Sequence, residues 1–291
     1  MKKINIAVLA LSFLCIQPAI AQKYTSRIVM EPGAVYEVHT EVKNLLAQQA
    51  NGMSFDFNLD GAAVSQYTVT NTGDENISLR HKMQRISYLF DGMGSSMNFD
   101  SDNEKDLQRE FARPLRDMLS KSYDLIIDTL GKTLLVLAPS AAPSAGDDQF
   151  RLISGLLGDI GTAALPPQKG DPTLFMCWPG GEMAVGESWT IAKNDENDNY
   201  QTVYTLAAVS DSTFTIDFVG NGNKRIENEM RGMQMTVNMK TATNGKIVVD
   251  RATGIIREKN TTTESAGTSE MMGSSIPVSG KTTTVVRVVK K

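Results

Sequence analysis

The chain has 291 residues, a formal net charge of −4, two histidines and two cysteines. This mildly acidic balance, with its basic residues scattered, gives no electrostatic footprint for nucleic acid or for an anionic membrane surface. The length suffices for one large packed core or two smaller ones, and the cysteines are too few for a disulfide framework.

Met1-Lys2-Lys3 opens the chain, an apolar run follows from Ile4 to Ile16, and Pro18 precedes Ala19-Ile20-Ala21. These are the basic, apolar and small-residue regions of a secretory signal, with cleavage expected before Gln22. The apolar run is shorter than the ~18–20 residues that span a bilayer, and no second long apolar stretch follows. Phe13 and Leu14 are too bulky for a lipidation signal at Cys15, so that cysteine is expected to leave with the leader. The exported chain, 22–291, loses Lys2 and Lys3 and no acid, which moves its net charge to −6. Its expected location is the periplasm or the exterior of a Gram-negative bacterium.

Beyond the leader, period-two alternation dominates, the pattern of antiparallel strands with one dry and one wet face. Phe55, Phe57 and Leu59 alternate with Asp56, Asn58 and Asp60, and Gly61 is expected to end that strand. A helical spacing of Leu107, Phe111, Leu115, Met118 and Leu119 predicts a helix over about 104–121, interrupted at Pro114. A second helix is expected over about 148–160, after the loop-like Ala138 to Gly146 stretch, and Leu165 to Pro172 reads as another loop. Gly186-Glu187-Ser188-Trp189 opens a strand, Met233, Met235, Val237 and Met239 share one strand face, and Thr282 to Val289 is rich in β-branched residues.

Two stretches repeat. Tyr67 to Leu79 and Tyr204 to Ile216 each read as strand, turn and strand. Asp124 to Asp128 before Gly131, and Lys246 to Asp250 before Gly254, each read as a strand ending on an Asp that caps a turn, with the Gly at positive φ. The predicted fold class is therefore α+β, mainly antiparallel β, with two related curved β units and a few amphipathic helices. The expected units are 22–138 with the inserted helix, a Pro/Ala-rich and helical connection over 139–174, and 175–291.

The chemistry-bearing residues are sparse. His39 and His81 each alternate with apolar neighbours and read as outward-facing strand residues, and Cys177 in Phe175-Met176-Cys177-Trp178 reads as a small core residue. One cysteine and two distant histidines match no common zinc spacing. The acidic turns 100–106 and 194–199 supply oxygen ligands, but Phe111 stands where a calcium loop needs its Glu. Asp128 and Asp250 are accounted for by turn capping. The methionine cluster, Met230 to Met239, suits core packing, an adaptable apolar cavity or a soft-metal thioether site. The ligand-groove candidates are Met233, Met235, Met239, Trp178 and Trp189, with no catalytic, cofactor or metal residues assigned.

The exported start, Gly186-Glu187-Ser188-Trp189 and the Asp250-Arg251-Ala252-Thr253-Gly254 turn resemble secreted Bacteroidota proteins of unknown function built from a duplicated β-rich unit. By fold analogy the pattern is also similar to the periplasmic lipoprotein carriers, which hold acyl chains in a half-barrel. The expected function is a non-catalytic envelope protein that binds an apolar or amphipathic ligand. The alternatives are a structural or protein-interaction module of the envelope and a hydrolase using carboxylates.

Overall fold

The computed structural model describes residues 22–50, 53–92, 94–137, 157–158, 160, 165–194, 198–230, 233–271 and 274–291, with the backbone alone at 50, 53, 54, 114, 198, 226–230, 233–235 and 271. Residues 1–21, where a leader with Cys15 is expected, lie outside the described residues, as do 138–156. In chain order the elements are β1 (Lys23–Tyr24), β2 (Val35–Ala50), β3 (Met53–Thr72), β4 (Asn76–Gly92), β5 (Ser95–Asp100), α1 (Glu104–Leu107), a 3-10 turn (Glu110–Ala112) and α2 (Arg113–Ser120). Then come β6 (Ser122–Asp128), β7 (Thr133–Leu137), β8 (Met183–Ala184), β9 (Ser188–Asn194), β10 (Asp198–Val209), β11 (Thr213–Met230), β12 (Met233–Asp250), β13 (Ile256–Met271) and β14 (Ser274–Lys290).

The fold is mostly antiparallel β with few helices. One 12-stranded sheet runs β7-β6-β4-β3-β2-β14-β13-β12-β11-β10-β9, with β5 added to β4, and β1 pairs with β8 in a separate ribbon. The sheet is open, since β7 and β9 pair with other strands on one side only among the described residues. Strands from the two ends of the chain meet where β14 pairs with β2.

Alternation assigns the faces. Along β4, Ile77, Leu79, His81 and Met83 face the core, and a bulge at Gln84 restores the phase so that Ile86, Tyr88 and Phe90 face it too. Burying each large apolar side chain contributes about 1.5–3 kcal/mol. One cluster joins Val42, Leu59, Ile86, Tyr88 and Phe99 to Leu115 and Met118 of α2. A second joins Tyr36, Tyr67, Leu79, Leu125 and Ile127 to Ile28, Met30 and Phe175. A third joins Leu206, Phe214, Ile216, Phe218, Ile247 and Val249 to Cys177, Trp178 and Met183.

Two local expectations are corrected. The helical run breaks before Pro114, at Gln108–Arg109, and Pro114 stands in the first turn of α2, where a missing N–H costs nothing. Gly61 does not end its strand but lies in the middle of β3. A Cβ there would stand 2.8 Å from Cδ2 of Leu157, which is buried with Ile160 against the sheet. The glycine makes room for that packing.

The two repeated stretches share one geometry. Asn76 pairs with Asp128 as Thr213 pairs with Asp250. A bulge falls at Thr70 in one hairpin and at Ala207 in the other. A second falls at Leu134 between β6 and β7 and at Arg257 between β12 and β13. Both hairpins are entered through a positive-φ glycine, Gly33 or Gly186, whose N–H donates to Val69 or Leu206 at 2.8 Å. Asp128 Oδ1 accepts from the N–H groups of Leu130 and Lys132, and Asp250 Oδ1 from those of Ala252 and Thr253. The segment that leads into each stretch crosses the other's turn. Arg27 and Ile28 lie against Gly254, and Phe175 and Met176 lie against Gly131.

Candidate functional site

The pairing register builds a recess on the sheet face opposite the three core clusters. One cross-strand row is Asn199, Asn223, Lys240, Ala266, Ser279, Ala47 and Asp56, from β10 through β14 to β2 and β3. The next row on that face is Gln201, Asn221, Ala242, Glu264, Lys281, Leu45 and Asn58. Between them the backbone of Gly222, Thr241, Ser265, Gly280 and Leu46 forms the floor, and the side chains of Thr241, Ser265 and Leu46 belong to the other face. Together these residues line a groove of about 1060 Å3. Gly222 and Gly280 let neighbouring strands come close, since a Cβ at either would stand 2.9 Å from a hydroxyl of the adjacent strand.

The groove is chemically graded. Its β10–β11 end carries the amides Asn199, Gln201, Asn221 and Asn223, and its β3 end carries Asp56 and Asn58. The small side chains Ala242, Ala266, Ser279 and Ala47 keep its middle open. Leu45 is 52% exposed there, although a leucine on the wet face of a long strand has no core to fill. Lys281 pairs with Glu264 at 3.4 Å across the middle. This arrangement can hold aliphatic groups against the small side chains on either side of that ion pair and polar groups at the ends. Among the described residues no cluster of three or more His, Cys, Asp or Glu is placed to hold a metal ion.

The residues singled out from the sequence lie elsewhere. Met239 pairs with Lys224 and Gly267, a register that puts it on the core-side face, opposite Lys240. Met233 and Met235 follow on the same face of β12 by register, and their side chains lie outside the described residues. Trp178 is 3% exposed, donates its indole N–H to the carbonyl of Gly181 at 2.8 Å, and lies 5.0 Å from the Phe214 ring. Trp189 stacks on Tyr204 at 5.4 Å, at the start of β9. The groove was not found from the sequence because its residues are individually ordinary. The available signal was the recurrence of small and amide residues at wet-face positions of long strands.

The titratable groups sort as structural. His39 faces out and bonds to Glu37 at 3.2 Å. His81, expected to face out, is instead 2% exposed between Tyr67 and Tyr123, with ring centroids at 4.8 and 4.5 Å. Its Nε2 makes no hydrogen bond, and burial pushes its pKa down to about 4. Cys177 is buried, and burial pushes its thiol up to about 12, far from a reactive thiolate. Asp100 and Asp102 of the first acidic turn are held by Arg85 at 2.6 and 3.0 Å, and Asp106 by Arg109 at 2.9 Å. Residues 195–197 of the second turn lie outside the described residues.

Residues 172–256 match the model of a family of unknown function (DUF6263). No curated protein matches the chain. Among solved structures, a lipovitellin studied for its lipid–protein interactions superposes with a TM-score of 0.48 and 12% identity, over 90% of this chain. The chain spans 25% of the length of that lipovitellin. An outer-membrane channel from Pseudomonas putida F1 superposes with a TM-score of 0.22 and 8% identity, over 91% of this chain and 99% of the channel. The translocator domain of an autotransporter from Neisseria meningitidis gives 0.22 and 5%, over 89% of this chain and 90% of that domain. Among the described residues no helix is long and apolar enough to cross a membrane.

Proposed function

We propose that this is an exported, non-catalytic binding protein that holds an amphipathic ligand in the groove across β10 to β3. The observation that carries the reading is the set of small and aliphatic side chains Leu45, Ala47, Ala242 and Ala266 around the central Lys281–Glu264 pair, between an amide end and an Asp56 end, on a face that a solvated sheet ordinarily fills with larger polar side chains. The volume, about 1060 Å3, is at the upper end for small-molecule sites. A groove formed by rigid strands is largely pre-formed, so little ordering cost accompanies binding.

The test is titration of the exported protein with dansyl-undecanoic acid, an amphiphile whose fluorescence reports an apolar environment. Saturable binding is expected. Ala242→Trp together with Ala266→Trp fills the centre from the wet face, where no core packing is disturbed. The pair is expected to abolish binding while leaving the urea midpoint unchanged. A protein that binds no probe, or that binds it equally well with both tryptophans in place, refutes the proposal.

A further inference from the structure

The repeated geometry identifies a site for a strand from outside the fold. β9 stands to β10 as β2 stands to β3: Trp189 pairs with Tyr204 and Ile191 with Thr202, as Tyr36 pairs with Tyr67 and Val38 with Ser65. On its other side β2 is covered by β14, which sets Lys290, Val288 and Val286 opposite Tyr36, Val38 and Thr40. The corresponding side of β9 pairs with no strand among the described residues. Trp189 and Ile191 occupy the positions of Tyr36 and Val38, yet both are only half-buried where Tyr36 and Val38 are buried. The β7 edge differs, because the Thr133 N–H donates to Asp171 at 2.9 Å and its carbonyl accepts from Gly170 at 2.8 Å.

We infer that the β9 edge is an acceptor for an extended segment of a partner protein, running antiparallel to β9, with a β-branched apolar residue beside Ile191 and a long-stemmed residue beside Trp189, as Val288 and Lys290 of β14 stand beside Val38 and Tyr36. Its chemistry is that of β14, where Val286 and Val288 alternate with Val285, Arg287 and Val289. Main-chain hydrogen bonds to this edge supply the affinity, and the side chains facing Trp189 and Ile191 supply the selectivity. The edge carries no proline between Ser188 and Asn194 and no bulge in its pairing with β10, so it lacks two of the usual devices that keep an edge unpaired. This inference is independent of the groove, which lies on the sheet face and not at its edge.

The probe is a synthetic peptide of Lys281 to Lys291, the segment that covers β2. With the whole exported protein, saturable binding is expected, with slowed amide hydrogen exchange over 188–194. The same peptide N-methylated at alternate residues keeps its side chains but loses main-chain donors. Its affinity is expected to fall by at least ~10-fold, since several backbone hydrogen bonds go at once. The peptide rather than the protein is altered, so a folding defect cannot imitate the result. No binding, equal binding of the N-methylated peptide, or protection confined to segments other than β9 overturns the inference.

Discussion

His81→Phe should remove a pH dependence that the wild-type protein carries between about pH 6.5 and 4. The imidazole is buried between Tyr67 and Tyr123, its Nε2 has no hydrogen-bond partner, and burial lowers its pKa from 6.5 to about 4. Protonation is therefore disfavoured in the folded chain relative to the unfolded one. A group whose folded pKa is depressed contributes its full stability above the unfolded value, and the contribution is lost as pH falls through the window down to the folded value. That fall, from 6.5 to about 4, corresponds to about 3 kcal/mol, lost progressively over the same pH window. Phenylalanine retains the ring contacts and removes the unpaired nitrogen, so the variant should be at least as stable as wild type at pH 7. Carboxylates held by arginines, such as Asp100 and Asp124, are held below the usual carboxylate range and titrate below this window. The assay is urea unfolding at half-unit pH steps from 7 to 4. Wild type should lose about 3 kcal/mol more than the variant over that range. Parallel stability profiles for the two proteins would refute the reasoning.

Substitutions at two glycines test the packing. Gly254→Ala puts a Cβ into the Arg27 carbonyl at a residue whose φ is +66°, so the turn and the crossing segment cannot both keep their places. A loss of roughly 1–3 kcal/mol in urea unfolding is expected, and a neutral result would contradict the close crossing. Gly61→Val overfills the site taken by Leu157 and should cost about 1–3 kcal/mol. Leu157→Ala should recover part of that loss when combined with it, and strict additivity in the double-mutant cycle would refute the contact.

The local architecture was legible where one residue type decides one conformation. The hairpins of Tyr67 to Leu79 and Tyr204 to Ile216, and the capped turns at Asp128 and Asp250, follow from alternation and turn chemistry within a dozen residues. Gly61 misled because a glycine within a strand signals either an end or a close approach, and Leu157, the residue approaching it, is 96 positions away. His81 misled because alternation gives a phase but not which phase is dry, and only the stacking of Tyr67 and Tyr123 from neighbouring strands settles that. The groove was out of reach for a related reason. Leu45, Ala242 and Ala266 come to line one recess only once β14 joins β2 to β13, a pairing of residues more than two hundred positions apart in the case of Leu45 and Lys281.

The central claim is that the groove holds an amphiphile, and native mass spectrometry tests it most directly. The protein would be isolated from the envelope of a Gram-negative host expressing the full chain, in wild-type form and with Ala242→Trp and Ala266→Trp. The account predicts a lipid-sized adduct on the wild-type protein, lost on organic extraction, regained on incubation with dodecanoate, and absent from the filled variant. A bare wild-type mass even after incubation, or an adduct that persists in the filled variant, would contradict it.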